Sequence, residues 1–557
     1  MTVYLIIGTV ILLSLALSLG EKKQAEADVY EDLRENYGKK ARRKEMTDER
    51  YAQVPGYYTR HRQEGQIDDI TWNDLDMDRL FRAMDSTMSG CGEEYLYYLL
   101  RTPAGKPEDL AYTEDQLCFA DRDEEARLDL QMTLYRLGHT GKYSIYDYIE
   151  SLDDVKIVPV WRQWMSLFLP FAAFGSMFLS TRFGVLALIA VLAYNIITYF
   201  RQKAGIDPYI VTMRYLLRIL MVADDLGRQE IPAFREEMGE MREIIKDFGG
   251  FRRGASLLFY NSDTGSNNII DLLLDYIRFT LHLDLLKFTY MLRDVRGRQA
   301  QVDRLITILG RLDAAVSIAS WRRSLPYYCR PVFEAGAAGP EAEKIYHPLL
   351  AEPVANSLRT DRPVLLTGSN ASGKSTFLKA MALGALLGQT LRTVPAAAYR
   401  ADMYQIYSSM ALRDDLQGGE SYFIVEIRSL KRILDASGAG GGRPVLCFID
   451  EVLRGTNTVE RIAASAEILG CFADRGVTCF AATHDIELTG LLQDRFENYH
   501  FQEDIEDGRV VFHYRLLPGP SDTRNAIRLL ETLGYDAALT ESAEARAQRF
   551  LRTGTWT

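Results

Sequence analysis

The chain has 557 residues, 25% of them charged, and a formal net charge of −11. This length allows several domains, each with its own core. The acidic balance excludes a protein that is basic overall, so nucleic-acid binding would need a local cluster of Lys and Arg. The six cysteines show no paired metal-ligand spacing. Cys447, Cys471 and Cys479 lie in apolar surroundings, which favours reduced thiols and a cytosolic setting.

An apolar segment opens the chain. Residues 3–19 carry no charge and are just long enough to span a bilayer. Basic residues follow at Lys22, Lys23 and within 39–44, so the positive-inside rule predicts an N-terminus outside and the bulk in the cytoplasm. A cleaved signal peptide is the alternative, although no basic segment precedes the run. We therefore expect a transmembrane helix over 1–20 and a charged juxtamembrane linker over 21–66.

A second apolar block runs from Met165 to Phe200 and is interrupted at 180–182. It predicts a transmembrane hairpin of Met165–Leu179 and Phe183–Phe200, because aromatic residues lie near both ends and Arg162, Arg201 and Lys203 flank it. Two buried core helices of a soluble domain are the alternative. With the N-terminal segment, the hairpin gives three spans of a multi-pass protein in the cytoplasmic membrane.

Helical periodicity surrounds this hairpin. Apolar residues recur at intervals of three and four over 68–148 and 208–319, for example in Ile269–Leu292. These stretches predict an α-helical core domain over 67–330, interrupted at about 163–200. Beyond about Tyr327, short strands alternate with glycine-bearing turns and helices, which predicts an α/β domain over 331–557 with helices at its C-terminal end.

A phosphate-binding loop lies between an apolar strand at 363–367 and a helical pattern at 376–389. Its glycines let backbone N–H groups approach a triphosphate, Lys374 supplies a positive charge, and Ser375 offers a hydroxyl to Mg²⁺. The predicted nucleotide-binding residues are Gly368, Ser369, Asn370, Ala371, Ser372, Gly373, Lys374, Ser375 and Thr376.

Two further strands end in polar residues. The run 444–449 ends in Asp450 and Glu451, about 75 residues after the loop. Asp450 is a candidate for the hydration shell of Mg²⁺, and Glu451 for the base that deprotonates the attacking water. The run 478–483 ends in His484, which we interpret as a γ-phosphate sensor that hydrogen-bonds the nucleotide or Glu451. A structural histidine is the alternative.

Between these motifs, the segment 414–423 leads into a helix that contains Glu426. Small residues and Ser421 precede this helix, so its N-terminus could bind a phosphate. Ser421 could equally be an ordinary helix cap, and both roles are compatible.

These motifs, in this order, resemble the ATPase domain of the MutS family of DNA mismatch-repair proteins. The matching elements are 368–376, 414–426, 450–458 and 482–484, and the segments 328–331, 347–349 and 353–356 resemble the entry into that domain. Residues 75–103 resemble the start of the family's helical core, or lever, domain. The resemblance implies an ABC-type ATPase with ATP and Mg²⁺ as cofactors. It also implies a homodimer in which Ser421 reaches the partner's nucleotide in trans, with Ser375 and Asp450 at the metal and Glu451 and His484 catalytic.

The sequence departs from the family at its N-terminal side. We find no counterpart of the mismatch-recognition and connector domains, and Phe234-Arg235-Glu236 matches the recognition wedge only in its letters. A membrane-tethered ATPase acting on DNA in a mismatch-repair-related process is one hypothesis, with backbone contacts from the arginine clusters at 252–253, 293–298 and 322–323. A membrane-bound ABC-type mechanoenzyme acting on protein or membrane partners without DNA is the other.

Overall fold

The structure is a computed structural model. It describes residues 20–21, 23–39, 47–139, 144–152, 155, 158–253, 280–369, 372–410, 422–438, 442–454, 456–506, 509–521, 527, 530 and 534–556. The predicted anchor at 3–19, Asn370, Ala371 and Ser421 lie outside these residues. The described chain forms two compact units. The helical unit is drawn from 1–62, 84–98 and 114–320, and the α/β unit from 63–83, 99–113 and 321–557.

Helices make up the described chain before residue 325. A helical stretch over 23–36 is followed by short and long helices. In chain order these are α1 (Asp48–Tyr51), α2 (Gly56–Arg60), α3 (Asp69–Asp74), α4 (Met77–Met84), α5 (Gly90–Arg101), α6 (Glu114–Arg122), α7 (Glu124–Leu137), α8 (Ile145–Ser151), α9 (Val160–Gly175), α10 (Thr181–Gly227), α11 (Arg235–Asp247), α12 (Gly249–Arg252), α13 (Leu283–Arg296) and α14 (Gln299–Ser324).

A buried carboxylate fixes the start of α5 in the helical unit. Asp313 of α14 accepts hydrogen bonds from Met88 N at 2.8 Å, Ser89 N at 2.8 Å and Ser89 Oγ at 2.6 Å. An acceptor at this position satisfies N–H groups that have no partner within the helix. A Cβ on Gly92 would lie 2.3 Å from Asp313 Oδ2. The glycine therefore lets α14 approach α5 closely.

The predicted hairpin is a helical hairpin, but its second helix is longer than expected. α9 ends at Gly175, a 3₁₀ turn covers Ser176–Phe178, and α10 then runs for 47 residues to Gly227. The sequence predicted that this helix would end near Phe200. In the structure the helix continues without a break past Pro208. Among the described residues, one helix segment, Thr181–Ile206, is long and apolar enough to cross a membrane on length and composition alone.

A second correction concerns the segment before α13. The periodicity predicted one helix over Ile269–Leu292, whereas His282 has a φ of 54° and α13 begins only at Leu283. Contacts with α10 stabilise this break. His282 Nε2 lies 2.8 Å from the Asn195 carbonyl oxygen, and Asn195 Nδ2 donates to the Thr280 carbonyl at 2.7 Å. Tertiary hydrogen bonds have overridden local helical preference here.

The α/β unit is built on a six-stranded sheet with the order β12-β9-β4-β8-β7-β6, in which β12 alone is antiparallel to its neighbour. Its central strands are buried on both faces, which explains their continuous apolar runs. The members of this sheet are β4 (Val364–Thr367), β6 (Gln405–Ser409), β7 (Val445–Asp450), β8 (Thr478–Ala482), β9 (Glu497–His500) and β12 (Leu517–Pro518).

The remaining elements complete the unit. A four-stranded sheet contains β1 (Val332–Phe333), β2 (Glu341–Ile345), β3 (Asn356–Leu358) and β5 (Ala398–Ala401), and a two-stranded sheet contains β10 (Glu503–Glu506) and β11 (Arg509–Phe512). The helices are α15 (Lys374–Leu391), α16 (Tyr422–Gly438), α17 (Thr458–Asp474), α18 (Glu487–Leu491) and α19 (Ala537–Thr553). The sequence predicted this helical-then-α/β architecture.

The α/β unit also includes residues that the sequence assigned to the helical core. Residues 63–83 and 99–113 belong to it, and its C-terminal part begins at Trp321. The reason is a buried contact of α3. The Asp74 carboxylate accepts Ser408 Oγ at 2.6 Å and Met410 N at 2.9 Å, and Thr71 Oγ1 accepts Ser408 N at 3.2 Å. Residues far apart in sequence are thereby joined at the end of β6.

Candidate functional site

The phosphate loop begins where β4 ends. Gly368 has a φ of 137° and Gly373 a φ of 109°, a region that favours glycine. A Cβ on Gly368 would lie 2.3 Å from the Phe501 carbonyl oxygen. Close backbone approach therefore requires glycine at this position. The helix α15 starts at Lys374, directly after the second glycine.

Lys374 is buried, and its ammonium group is hydrogen-bonded to the backbone of the phosphate loop. Its Nζ donates to the carbonyl oxygens of Gly368 at 2.7 Å and Ser369 at 2.8 Å. Burial lowers the pKa of Lys374, while the charges of Asp450 and Glu451 oppose this shift. The ammonium thus lies in a pocket that favours an additional negative charge nearby.

Ser372 and Ser369 differ in their partners. The Ser372 hydroxyl is buried, and its oxygen has no hydrogen-bond partner in the described part of the chain. Ser369 Oγ instead donates to Glu503 Oε2 of the two-stranded sheet at 2.6 Å. A buried hydroxyl without a partner is costly, so Ser372 is matched to an acceptor such as a phosphate oxygen.

Asp450 and Glu451 lie at the C-terminal end of β7. Because β8 lies between β4 and β7, the carboxyl ends of all three strands meet beside the loop. Glu451 has a φ of 62°, which is uncommon for a residue with a side chain. Its backbone N–H donates to the Ala482 carbonyl at 2.9 Å.

A histidine and an arginine contact Glu451. His484 Nε2 lies 2.9 Å from Glu451 Oε1, and Arg454 Nε lies 2.5 Å from Glu451 Oε2. The hydrogen bond to His484 is the largest cause that lowers the pKa of Glu451, and Arg454 acts in the same direction. Glu451 therefore stays ionised at neutral pH, as a base must be.

Glu426 holds the turn that carries these groups. Its two carboxylate oxygens accept hydrogen bonds from Leu453 N at 2.6 Å and Arg454 N at 3.1 Å. Burial raises the pKa of Glu426, and the two backbone N–H groups oppose that shift. The helix that follows the segment around Ser421 is thus hydrogen-bonded to the turn after β7.

These residues surround one cleft of about 760 Å³. The sequence-predicted residues that line it are Ser369, Ser372, Gly373, Lys374, Ser375, Thr376, Asp450, Glu451 and His484. Residues that the sequence analysis did not single out also line it, among them Met410, Arg454 and Tyr514. Arg454 had a detectable signal, since it lies inside the motif that begins at Asp450. Met410 and Tyr514 had none, because their place depends on distant contacts.

The part of the chain that contains this cleft matches a known protein family. The sequence model described as MutS domain V matches residues 364–551, which contain the loop, Asp450, Glu451 and His484. The chain is 35% identical over 183 residues to the DNA mismatch repair protein MutS of Thermus thermophilus, covering 33% of this chain and 22% of that protein. The α/β unit therefore contains a domain of the MutS family.

Other MutS proteins extend the similarity toward the N-terminus. The DNA mismatch repair protein MutS of Lactobacillus acidophilus is 30% identical over 280 residues, which is 48% of this chain and 32% of that protein. The protein of the same name from Geobacillus kaustophilus is 29% identical over 286 residues, or 49% of this chain and 31% of that protein. The chain thus spans about a fifth to a third of the length of these curated relatives.

Proposed function

We propose that the cleft binds ATP with Mg²⁺ and hydrolyses it, and that this reaction is the chemical activity of the chain. The observation that carries the proposal is the convergence of Lys374, Asp450, Glu451 and His484 on one cleft. A phosphate-binding cation, a metal-binding carboxylate and an ionised base are the parts that nucleotide hydrolysis needs.

Phosphate binding follows from the loop. Lys374 now donates to two carbonyl oxygens, and a phosphate oxygen would compete for the same ammonium protons. The Ser372 hydroxyl, which has no partner within the described residues, would donate to another. The positive end of α15 points toward the same region, because Lys374 and Ser375 form its first turn.

The cleft also offers ligands that suit Mg²⁺. The Ser375 hydroxyl and the Asp450 carboxylate both line it, and oxygen donors of this kind are those that Mg²⁺ prefers. Bound there, Mg²⁺ would neutralise the negative charge of the phosphates. Asp450 would hold the ion directly or through water, while the chain's other groups act on the nucleophile.

Glu451 would then accept the proton of the attacking water. His484 and Arg454 keep its carboxylate ionised and fix its two oxygens. When a γ-phosphate enters, His484 would be able to donate to it instead. This role of His484 is our interpretation of its place at the end of β8.

The dimer is the second part of the proposal. The resemblance to MutS implies that Ser421 of one subunit contacts the nucleotide of the other. Met410 lines the cleft at the end of β6 and directly precedes the segment that contains Ser421, and Glu426 ties the following helix to the catalytic turn. Movements that accompany closure of the dimer on ATP would therefore be transmitted along β6 and α16.

Steady-state ATP hydrolysis tests the site. We expect Glu451→Gln to lower kcat by about 10²–10⁴, the range of a general base, and to keep ATP binding.

Lys374→Ala should weaken ATP binding by roughly tenfold or more, because a charged hydrogen bond contributes about 1.5–3 kcal/mol. Lys431→Ala is the control, since Lys431 is exposed and pairs with exposed Asp435. Normal turnover by the Glu451→Gln variant would contradict the assignment of the base.

We further propose a role on DNA, in a process related to mismatch repair. The support is the name that the relatives share, DNA mismatch repair protein MutS. Two of the arginines considered for backbone contacts are already engaged within the protein. Arg296 donates to the Val155 carbonyl at 2.8 Å, and buried Arg322 donates to the Leu391 carbonyl at 3.1 Å. Any DNA surface must therefore use other cations.

The test of the DNA role is the ATPase rate with and without duplex DNA over a series of salt concentrations. DNA that acts through backbone contacts should change the rate, and its binding should weaken steeply as salt rises. A rate that DNA leaves unchanged, or binding without salt dependence, would favour the second candidate, a membrane-bound ABC-type mechanoenzyme without DNA.

One observation supports tethering to a membrane under either hypothesis. The hairpin of α9 and α10 exposes many large apolar side chains, including Phe171 at 61%, Phe178 at 87%, Leu179 at 92% and Leu186 at 69%. Soluble proteins rarely leave such a patch in water. We propose that it lies in the cytoplasmic membrane with both ends, and the ATPase unit, on the cytoplasmic side.

A further inference from the structure

The helical unit contains a cavity of about 420 Å³ at the open end of the hairpin. Its wall comes from the first turn of α9, from the end of the apolar segment Thr181–Ile206 in α10, and from α13. This volume is within the range of small-molecule sites. The cavity is separate from the nucleotide cleft and shares none of its lining residues.

Two amide oxygens of wall residues accept no hydrogen bond from the described part of the chain. Gln163 is only 3% exposed, and its Nε2 donates to Thr289 Oγ1 at 2.8 Å and to the Leu285 carbonyl at 3.3 Å. Its Oε1 is buried and accepts nothing from any described residue, and the same holds for Oε1 of Gln202. Each unsatisfied buried acceptor costs about 1–3 kcal/mol. An occupant with hydrogen-bond donors would remove this cost.

The other wall residues indicate which further chemical groups the ligand should carry. Phe288, Leu292 and Val155 are buried apolar residues that also line the cavity. Arg201 lines the cavity as well and brings a positive charge. The complementary molecule is amphipathic, with donor groups for the two amides, an anionic group for the arginine and an apolar body.

The location of the cavity indicates where such a molecule would come from. It lies at the end of the apolar segment, where Arg201 and Lys203 succeed the exposed apolar residues of α10. In a bilayer, cations at the end of a span are at the depth of the lipid headgroups.

We infer that this cavity binds one phospholipid whose headgroup carries hydroxyl or ammonium donors, with the phosphate beside Arg201. The inference rests on the proposed insertion of the hairpin in a membrane. The lipid would connect α9, α10 and α13 at the membrane surface, so that the hairpin is held to the helical unit by a ligand as well as by protein contacts.

Binding of short-chain lipids tests the cavity directly. The probes are dihexanoyl phosphatidylethanolamine and dihexanoyl phosphatidylglycerol, titrated into the purified full chain by calorimetry, with free phosphoethanolamine and glycerol phosphate as separate arms. Gly205 lines the cavity, and a Cβ there meets no atom within 4 Å, so Gly205→Leu adds a side chain at the wall with room for its first carbon. Gly175→Leu is the matched control, since a Cβ at Gly175 is equally free and Gly175 is outside the wall.

We expect Gly205→Leu, which narrows the cavity, and Gln163→Leu, which removes a hydrogen-bonding amide, each to weaken lipid binding by about tenfold or more, which is about 1.4 kcal/mol. Gly175→Leu should bind as the wild type does. Equal lipid affinity in wild type and both cavity variants would overturn the inference. Free headgroups that bind as tightly as the lipids would also overturn it, in favour of a soluble phosphate ester.

Membrane fractionation of the same variants separates this inference from the proposed tethering. All three variants should remain with the membranes, because none adds charge to the hairpin. A wild-type protein that stays in membranes but binds neither lipid contradicts the cavity inference alone. A wild-type protein that is released from membranes by carbonate contradicts the tethering, and the lipid site with it.

Discussion

Glu451 has an uncommon backbone conformation at the position of the proposed catalytic base. Its φ of 62° places the carboxylate between His484 and Arg454, and such backbone conformations persist only where surrounding contacts hold them. The Ala482 carbonyl and the Glu426 carboxylate supply these contacts, at Glu451 N and at the turn that follows. The uncommon backbone conformation is therefore part of the proposed catalytic arrangement.

The pH profile of ATP hydrolysis tests the role of His484. The hydrogen bond from His484 is the main cause that lowers the Glu451 pKa, so His484→Gln should raise that pKa. Protonation would then remove the base at a higher pH than in the wild type. The acid limb of kcat against pH should move upward, which a series of rates between pH 4 and pH 8 would measure, roughly the span in which a shifted carboxyl titrates. A limb that stays in place would show that His484 does not act on Glu451.

Glu94 has the opposite shift and a structural role in the helical unit. It is fully buried, accepts hydrogen bonds from Tyr57 N and Ser144 Oγ at 2.9 Å each, and burial raises its pKa to about 8. In the unfolded chain the carboxyl titrates near 4.5. Between these values the native state binds more protons than the unfolded state, so its stability falls as pH rises.

The prediction for Glu94 concerns thermal unfolding. Between pH 5 and pH 8, about the window between the two pKa values, Tm of the wild type should fall. In Glu94→Gln this fall should be smaller, because the amide does not titrate in that range and can still bond to Tyr57 N and Ser144 Oγ. Parallel Tm curves for the two proteins would contradict a neutral, buried Glu94.

Asp74 joins two elements that are distant in sequence. It lies in α3, is 2% exposed, and accepts hydrogen bonds from the end of β6, where Met410 enters the nucleotide cleft. Movement of β6 on nucleotide binding therefore requires movement of α3 or loss of these bonds. The contact offers a route from the cleft to residues 63–83.

Removing this acceptor should affect both stability and turnover. Asp74→Ala leaves the Met410 N–H and the Ser408 hydroxyl without their acceptor, at a cost of about 2 kcal/mol or more in unfolding free energy. ATP turnover should fall as well, because Met410 and the following segment lose their position. Asp435→Ala, which changes an exposed aspartate of α16, is the control. Denaturant unfolding and ATPase rates would show both effects, and a variant that matches the control in both contradicts this role.

At the scale of elements, the sequence was informative wherever the determinants are local. The strand, loop and helix around Lys374 and the strand that ends at Asp450 follow from apolar runs and glycine positions, and the structure has them within a few residues. Non-local contacts decided the rest. The break at His282 depends on Asn195, the burial of Arg322 on the end of α15, and the place of Tyr514 on Asn356, whose Nδ2 donates to the Tyr514 carbonyl at 3.0 Å.

At the scale of the whole molecule, the proposed membrane insertion rests on the exposed apolar residues of the hairpin of α9 and α10. Leu186 and Ile189 are exposed, at 69% and 61%, within the segment that could span. Arginine at the centre of a span costs about 2.5–3.5 kcal/mol on insertion scales. The double variant Leu186→Arg and Ile189→Arg should therefore lose membrane retention.

Carbonate extraction of cell membranes measures this effect. The wild type and a control, Leu491→Arg, should remain in the pellet, because Leu491 is an exposed residue of the α/β unit. The double variant should appear in the supernatant or be degraded. Equal retention of the double variant would mean that the hairpin does not hold the protein in the membrane, and tethering would have to depend on other segments.

In the proposed dimer, two copies of the chain enclose ATP between them, so that each nucleotide contacts Lys374 and Glu451 of one copy and Ser421 of the other. The mass of the Glu451→Gln variant in solution, measured by light scattering after subtraction of detergent, tests it most directly. With ATP and Mg²⁺ we predict a dimer that ADP, or the Lys374→Ala change, does not produce. A Glu451→Gln protein that binds ATP and remains monomeric would contradict the account.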